Sequence, residues 1–330
     1  MQRAFLPRVH TGDTLQTRVG RGAPRAATSL RGECKYFSIQ DHPMESWKDT
    51  LIRFPPVRAV HRRIAGARLA RVFARREGAE PFEEFTCNVC GATNQAPHSF
   101  ICGRETPSCT GCASTLRFRT IVHVLSMELF GESLVIADFP HCEATGIGLS
   151  DALLYARPLS RRLRYTNTFF HREPRLDICA PAPRWRSSCD FVIASEVFEH
   201  VPPPVEQSFR ALFAVMRPGG LCVFSVPSRA DGDTVEHYPS LYEWHAEKEH
   251  GKYVLYNRTR DGLVETFDNL RFHGGPGATL EMRIFSHDDL VAQIESSGFC
   301  DVRAWKGSEP RYGIEWNTDS SYILSFRRPR

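Results

Sequence analysis

The chain has 330 residues, 42% hydrophobic and 24% charged, with a net charge of +4. That is the composition of a soluble globular protein with one to three domains and a sizeable core. No run of eighteen apolar residues occurs, which argues against a membrane-spanning helix.

The positive charge is unevenly placed. Residues 1–80 carry 16 Lys and Arg against 7 Asp and Glu, a net +9, which leaves −5 for the remainder. Such a leader suits a solvated tail, or contact with nucleic acid or an anionic surface. The N-terminus lacks the apolar stretch of a secretory signal, so a cytoplasmic location is expected. In a reducing compartment clustered cysteines bind metal more readily than they form disulfides, and this chain has eleven.

Residues 1 to about 45 mix Arg, Gly, Pro, Ser and Thr without a period and are expected to be poorly ordered. Residues 57–76 repeat apolar side chains at roughly helical spacing between arginines. They read as a basic helix that lies on RNA, on a membrane surface or on the protein itself. Together these segments form a basic leader, 1–80.

Residues 81–115 read as a small zinc ribbon. Cys87 and Cys90 form one C-x2-C pair, and Cys109 and Cys112 form a second after 18 intervening residues. Two such pairs can set four thiolates around one tetrahedral Zn2+, a closed site whose role is structural. His98 and Cys102 lie between the pairs and could replace one ligand.

The remainder, 116–330, alternates strand and helix patterns. A helix is expected over STLRFRTIVHVLSMELF, then a buried strand over SLVIADF (133–139) with Asp138 near its end, then a strand over 163–170. DFVIA (190–194), the helical stripe 205–216, the turn Arg217-Pro218-Gly219-Gly220 and the strand 221–227 imply a parallel sheet covered by helices. Residues 228–284, rich in His, Gly and aromatic side chains, form a long insertion of the kind that often carries function. Ser286 is placed to cap a helix that Gly298 ends, and two last strands follow.

The stretch DFVIASEVFEHV, followed after a helix by RPGGLCVFSVPS, resembles the class I methyltransferases that bind S-adenosylmethionine. The resemblance implies an α/β fold, a Rossmann-like seven-stranded sheet with helices on both faces, here preceded by the ribbon. It further implies that Asp177 in LDICAP receives the adenine amino group, with Ile178 beside the ring, and that Ser195 and Glu196 line the same rim. The alternative for Asp177 is an ordinary capping or turn residue. The family's Gly-rich loop has no compact counterpart after SLVIADF, so Gly146 and Gly148 either line the cofactor in a longer loop or lead into a helix at Ser150 or Asp151. The ribose acid is also missing after the second strand, where Asn167 and Thr168, or Glu143 upstream, are substitutes.

Candidate bases are His200, which follows the Glu196 rim, and His237 and His273 in the insertion. The glycine-rich run 274–277 could edge a lid. The function expected is methyl transfer to an oxygen or nitrogen of a small molecule or glycan. An RNA methyltransferase using the ribbon and leader, or a non-catalytic module with a decayed cofactor site, is the alternative.

Overall fold

A computed structural model describes residues 18–20, 55–273 and 279–330. The expected disorder of residues 1–45 and the glycine lid edge at 274–277 lie outside the described residues, except for a strand at Arg18–Gly20. Two compact units are present: one comprises residues 1–42 with 238–281, the other 43–237 with 282–330. Among the described residues no helix is long and apolar enough to cross a membrane.

The larger unit begins with α1 (Pro55–Ala74), which lies against the ribbon. Gly66 comes so close to the Thr110 carbonyl that a Cβ there would sit 2.2 Å from its oxygen. The Phe73 ring meets Phe100 edge-on at 5.2 Å. Of the surfaces expected for this basic helix, the protein itself is thus one, although Val60, Ile64 and Val72 remain exposed. The ribbon consists of the hairpin β1 (Phe82–Thr86) and β2 (Thr93–Pro97) with its two cysteine turns.

The helix α2 (Leu116–Phe130) follows. Thr115 caps it by accepting from Phe118 N, and Gly131 ends it in the left-handed conformation that glycine adopts at little cost. Then come β3 (Thr145–Leu149), α3 (Leu153–Arg162), β4 (Arg164–Thr168), β5 (Cys189–Ser195), α4 (Glu206–Val215) and β6 (Met216–Ser225). The turn Arg217–Gly220 is absorbed into β6 at a register shift against β5.

The smaller unit holds an antiparallel sheet of β7 (Glu243–Glu249), β8 (Lys252–Arg258) and β9 (Val264–Phe267), with the Arg18–Gly20 strand along β9. The larger unit resumes with β10 (Arg283–Ser286), α5 (His287–Ser296), β11 (Cys300–Trp305) and β12 (Ile323–Arg327).

The central sheet has the order β11-β12-β6-β5-β3-β4. β4, β3, β5 and β6 are parallel, while β12 runs antiparallel between β6 and β11. Among the described residues this sheet has six strands, against seven expected. One face is filled by Phe198, Phe209, Phe224, Phe299 and Phe326, whose ring centroids lie 4.6–5.7 Å from their neighbours. The other face packs on α2 and shares one continuous apolar core with the ribbon, running from Phe85 and Val89 through Ile121 and Leu125 to Ile193 and Val223.

One strand expectation needs correction. SLVIADF does not enter the sheet. It forms a 3-10 turn at Ile136–Asp138, held beneath the ribbon because Ile136 N donates to Asn88 O and Tyr312 donates its hydroxyl to Ser133 O. Asp138 is therefore exposed in a turn and does not sit at a strand end. The first strand of the sheet is instead TGIGL, with Gly146 and Gly148 inside it. A Cβ on Gly146 would fall 2.0 Å from the Phe191 ring, and one on Gly148 would fall 1.9 Å from the Tyr165 hydroxyl. Both glycines are there because neighbouring side chains occupy that space.

Candidate active site and metal centre

Strand order reverses between β3 and β5: β3 passes through α3 outward to β4, whereas β5 passes through α4 outward to β6. In open α/β sheets ligands bind beyond the carboxyl ends of the strands at such a point. Here those ends are Leu149-Ser150-Asp151 and Ser195-Glu196.

On the β3 side, Ser150 is left-handed (φ 58) and its N–H donates to Thr168 O. Asp151 is buried, and Tyr155 and Tyr165 both donate their hydroxyls to its carboxylate. Burial pushes its carboxyl up to about 7, against the hydrogen bonds from Tyr165 and Tyr155. Asn167 fixes the same turn from β4, accepting from Asp151 N and donating to Asp151 O, each at 2.9 Å. Thr168 Oγ1 donates to Gly148 O. The two ribose candidates on β4 are thus engaged in holding the loop. Glu143 lies at the opposite ends of the strands, paired with Arg164, and so is remote from the crevice rim.

On the β5 side, Glu196 is also left-handed (φ 57), a conformation uncommon for a side chain of this size. Its N–H donates to Ser225 O, and Ser225 Oγ donates to its carboxylate at 2.9 Å. Two arginines reach this point from the ribbon and from the first turn of α2. Arg104 donates to both Glu196 oxygens, at 2.7 and 3.2 Å. Arg117 donates to Ser195 Oγ at 2.6 Å and to both oxygens of Glu105, which also takes a bond from Arg104. Burial pushes the Glu196 carboxyl up, but the Arg104 charge and its hydrogen bonds outweigh this and hold it below the usual glutamate range. Neither arginine is signalled by the sequence, because no local motif places them.

Asp177 follows a short parallel bridge from Phe169 to Arg175 that extends the end of β4. Its Oδ1 accepts from Cys179 N at 2.9 Å, so it caps its own turn, and burial raises its carboxyl above the usual range. The neighbouring Ile178 is buried. Asp177 is thus half-buried beside an apolar side chain, in the turn that follows this bridge.

His200 ends a one-turn 3-10 helix directly after the rim, with Nε2 3.6 Å from the buried Glu199 carboxylate. That turn is pinned by Arg283, itself buried, which donates to the carbonyls of Phe198 and Val201, each at 2.7 Å, and to Glu236. His237 is buried, and its N–H donates to Met282 O. His273 belongs to the smaller unit, where Nε2 lies 2.5 Å from Glu281 Oε2.

In the ribbon, the sulfurs of Cys87, Cys90, Cys109 and Cys112 all lie within 4.8 Å of one another. Cys87 and Cys112 are 3.7 Å apart, and Cys90 and Cys109 are 3.6 Å apart. A disulfide requires about 2.05 Å. The edge of a tetrahedron with metal–sulfur bonds of about 2.3 Å is about 3.8 Å. The donor set therefore fits a single Zn2+. Arg119 lies buried nearby, donating to Ser108, Ser114 O and Gly313 O, and its charge complements clustered thiolates. His98 and Cys102 do not complete this group; they form another with Glu315.

A family model described as a methyltransferase domain matches residues 132–299. No curated protein matches the sequence. Among solved structures, the chain is similar to the 1,6-didemethyltoxoflavin-N1-methyltransferase of Burkholderia thailandensis at 14% identity and a TM-score of 0.38, over 64% of this chain and 78% of that one. It is also similar to an S-adenosylmethionine-dependent methyltransferase from Clostridium acetobutylicum (12%, TM-score 0.34, 64% and 99% covered). A third likeness is to an amino pentose methyltransferase from Micromonospora echinaspora (14%, TM-score 0.32, 56% and 84% covered).

Proposed function

The chain belongs to the methyltransferase-domain family; from that premise we propose that it is an S-adenosylmethionine-dependent methyltransferase acting on an oxygen or nitrogen of a small-molecule or glycan acceptor. The observation that carries this reading is the reversal of strand order between β3 and β5, with Ser195 and Glu196 at the carboxyl end of β5. When bound, S-adenosylmethionine supplies the electrophilic methyl group. The protein's share of such a displacement is mostly to hold the acceptor in line.

Asp177 accepts the adenine amino group, and Ile178 covers the ring. Ser195 and Glu196 fix the opposite side of the crevice through the two arginines. His200 takes the acceptor proton, oriented by a turn that Arg283 holds at two carbonyls. His237 is the second candidate base, and His273 is proposed as an acceptor-facing group of its own unit. In that unit Tyr242 is exposed with the Arg260 guanidinium 4.9 Å from its ring, the kind of surface on which a sugar stacks.

The four cysteines hold structural Zn2+, and the ribbon serves the rim rather than RNA. Arg104 and Arg117 support this, because both guanidiniums are occupied by Glu196, Glu105 and Ser195. The residue scheme proposed is a leader at 1–80, a ribbon at 81–115 and a catalytic domain at 116–330 with the insertion at 228–284.

The test is transfer of labelled methyl from S-adenosylmethionine to a panel of sugars, small amines and phenols, with RNA included. Label on a small acceptor, reduced at least about 100-fold by His200→Ala with cofactor affinity retained, is the expected result. Label on RNA alone would refute the acceptor assignment.

A further inference from the structure

We propose that the ribbon carries a second, open zinc site formed by His98, Cys102 and Glu315, with Glu83 orienting the histidine. This site is separate from the four-cysteine cluster and does not depend on the methyl-transfer reading.

The placement begins with local structure. His98 opens a one-turn helix, His98–Ile101, and Cys102 N donates to His98 O at 3.0 Å. The two side chains are therefore four residues apart on one helical face, where side chains meet. His98 Nε2 lies 3.4 Å from Cys102 Sγ. Metal–nitrogen and metal–sulfur bonds of about 2.0 and 2.3 Å at a tetrahedral angle give a nitrogen–sulfur distance of about 3.5 Å. The Glu315 carboxylate completes the group: one ligand atom from each of the three residues lies within 4.8 Å of the others, and Glu315 Oε2 is 3.9 Å from the Nδ1 of the same ring.

The other ring nitrogen supplies an independent observation. His98 Nδ1 is 2.5 Å from Glu83 Oε1. A carboxylate that accepts from one imidazole nitrogen fixes the tautomer and leaves the other nitrogen to bind metal, the usual outer support of a zinc-bound histidine. Cys102 is buried, whereas the side chains of His98 and Glu315 are 41% and 39% exposed, which opens the fourth position to water. One thiolate, one imidazole and one carboxylate suit Zn2+ over a hard cation such as Mg2+, which selects oxygen alone. Three protein ligands and a water are the pattern of an open zinc site.

The experiment is zinc content per chain in the full-length protein after removal of loosely bound metal, followed by Co2+ substitution and absorption spectroscopy. Wild type is expected to hold two equivalents. His98→Ala and Cys102→Ser should each remove one and leave the four-thiolate cobalt spectrum intact. Glu83→Gln removes no ligand and should weaken the second equivalent roughly 10–100-fold. A single equivalent that none of these variants alters would overturn the proposal while leaving the four-cysteine site in place. A single equivalent that His98→Ala abolishes would uphold it and refute the four-cysteine site instead.

Discussion

The two cysteine turns and the crevice rim are built at opposite ranges along the chain. Each cysteine turn closes on itself within five residues. Gly91 N donates to Cys87 O at 2.7 Å and Ala113 N donates to Cys109 O at 2.8 Å, with both donors left-handed, at φ 78 and φ 63. The rim is assembled from residues far apart: Arg104 and Glu196 are 92 positions distant, and Arg117 and Ser195 are 78. Because the arginines belong to the ribbon and its exit helix, the local structure supports the distant one. The cysteine turns belong to the ribbon, and Arg104 of the ribbon holds Glu196.

That dependence is broken most severely by stripping the Zn2+ proposed for the four cysteines. Ions at structural sites of this kind contribute on the order of 10 kcal/mol to isolated ribbons. A strong chelator, or Cys109→Ser, is expected to lower the melting temperature and weaken S-adenosylhomocysteine binding together. Cofactor affinity unchanged in the metal-free protein would separate ribbon from rim.

Arg283→Met removes the cation that pins the His200 turn. Leaving Glu236 without its partner and two buried carbonyls without donors should cost about 3–5 kcal/mol, read by denaturant titration.

Asp151 gives a pH signature on the β3 side. Its folded-state pKa is raised to about 7 by burial, so its contribution is fully present below the unfolded aspartate value, about 4. Stability is lost as pH rises from there through about 7, with a slope of up to about 1.4 kcal/mol per pH unit. Asp151→Asn should flatten that slope, gaining on wild type at pH 8 and not at pH 4. The smallest effect is expected within the second cysteine turn. Ala113→Gly relieves a left-handed alanine that costs about 1–2 kcal/mol, partly offset by glycine's greater chain entropy, for a net gain of about 0.5 kcal/mol.

What could be read in the sequence follows the same division. The cysteine pairs, the strand Cys189–Ser195 and the helix after it are local patterns with fixed spacings, and they stand where expected. SLVIADF misleads because a short apolar run satisfies a strand and a buried turn equally. The strand that takes its place, TGIGL, carries two glycines, which strands ordinarily avoid. Their reason lies in Phe191 and Tyr165, 45 and 17 residues further on, and no window of sequence contains it. Arg104 and Arg117 were illegible for the same cause, and so was the grouping of His98 and Cys102 with Glu315 from the far end of the chain.

The most direct measurement is calorimetric titration of S-adenosylhomocysteine into the zinc-loaded, full-length protein and into its Asp177→Ala variant. Saturable binding that the variant weakens roughly 10–100-fold, the worth of one hydrogen bond to a charged group, is the predicted result. Absence of binding to the folded wild-type protein, or equal affinity in the variant, would contradict the cofactor site placed at this rim.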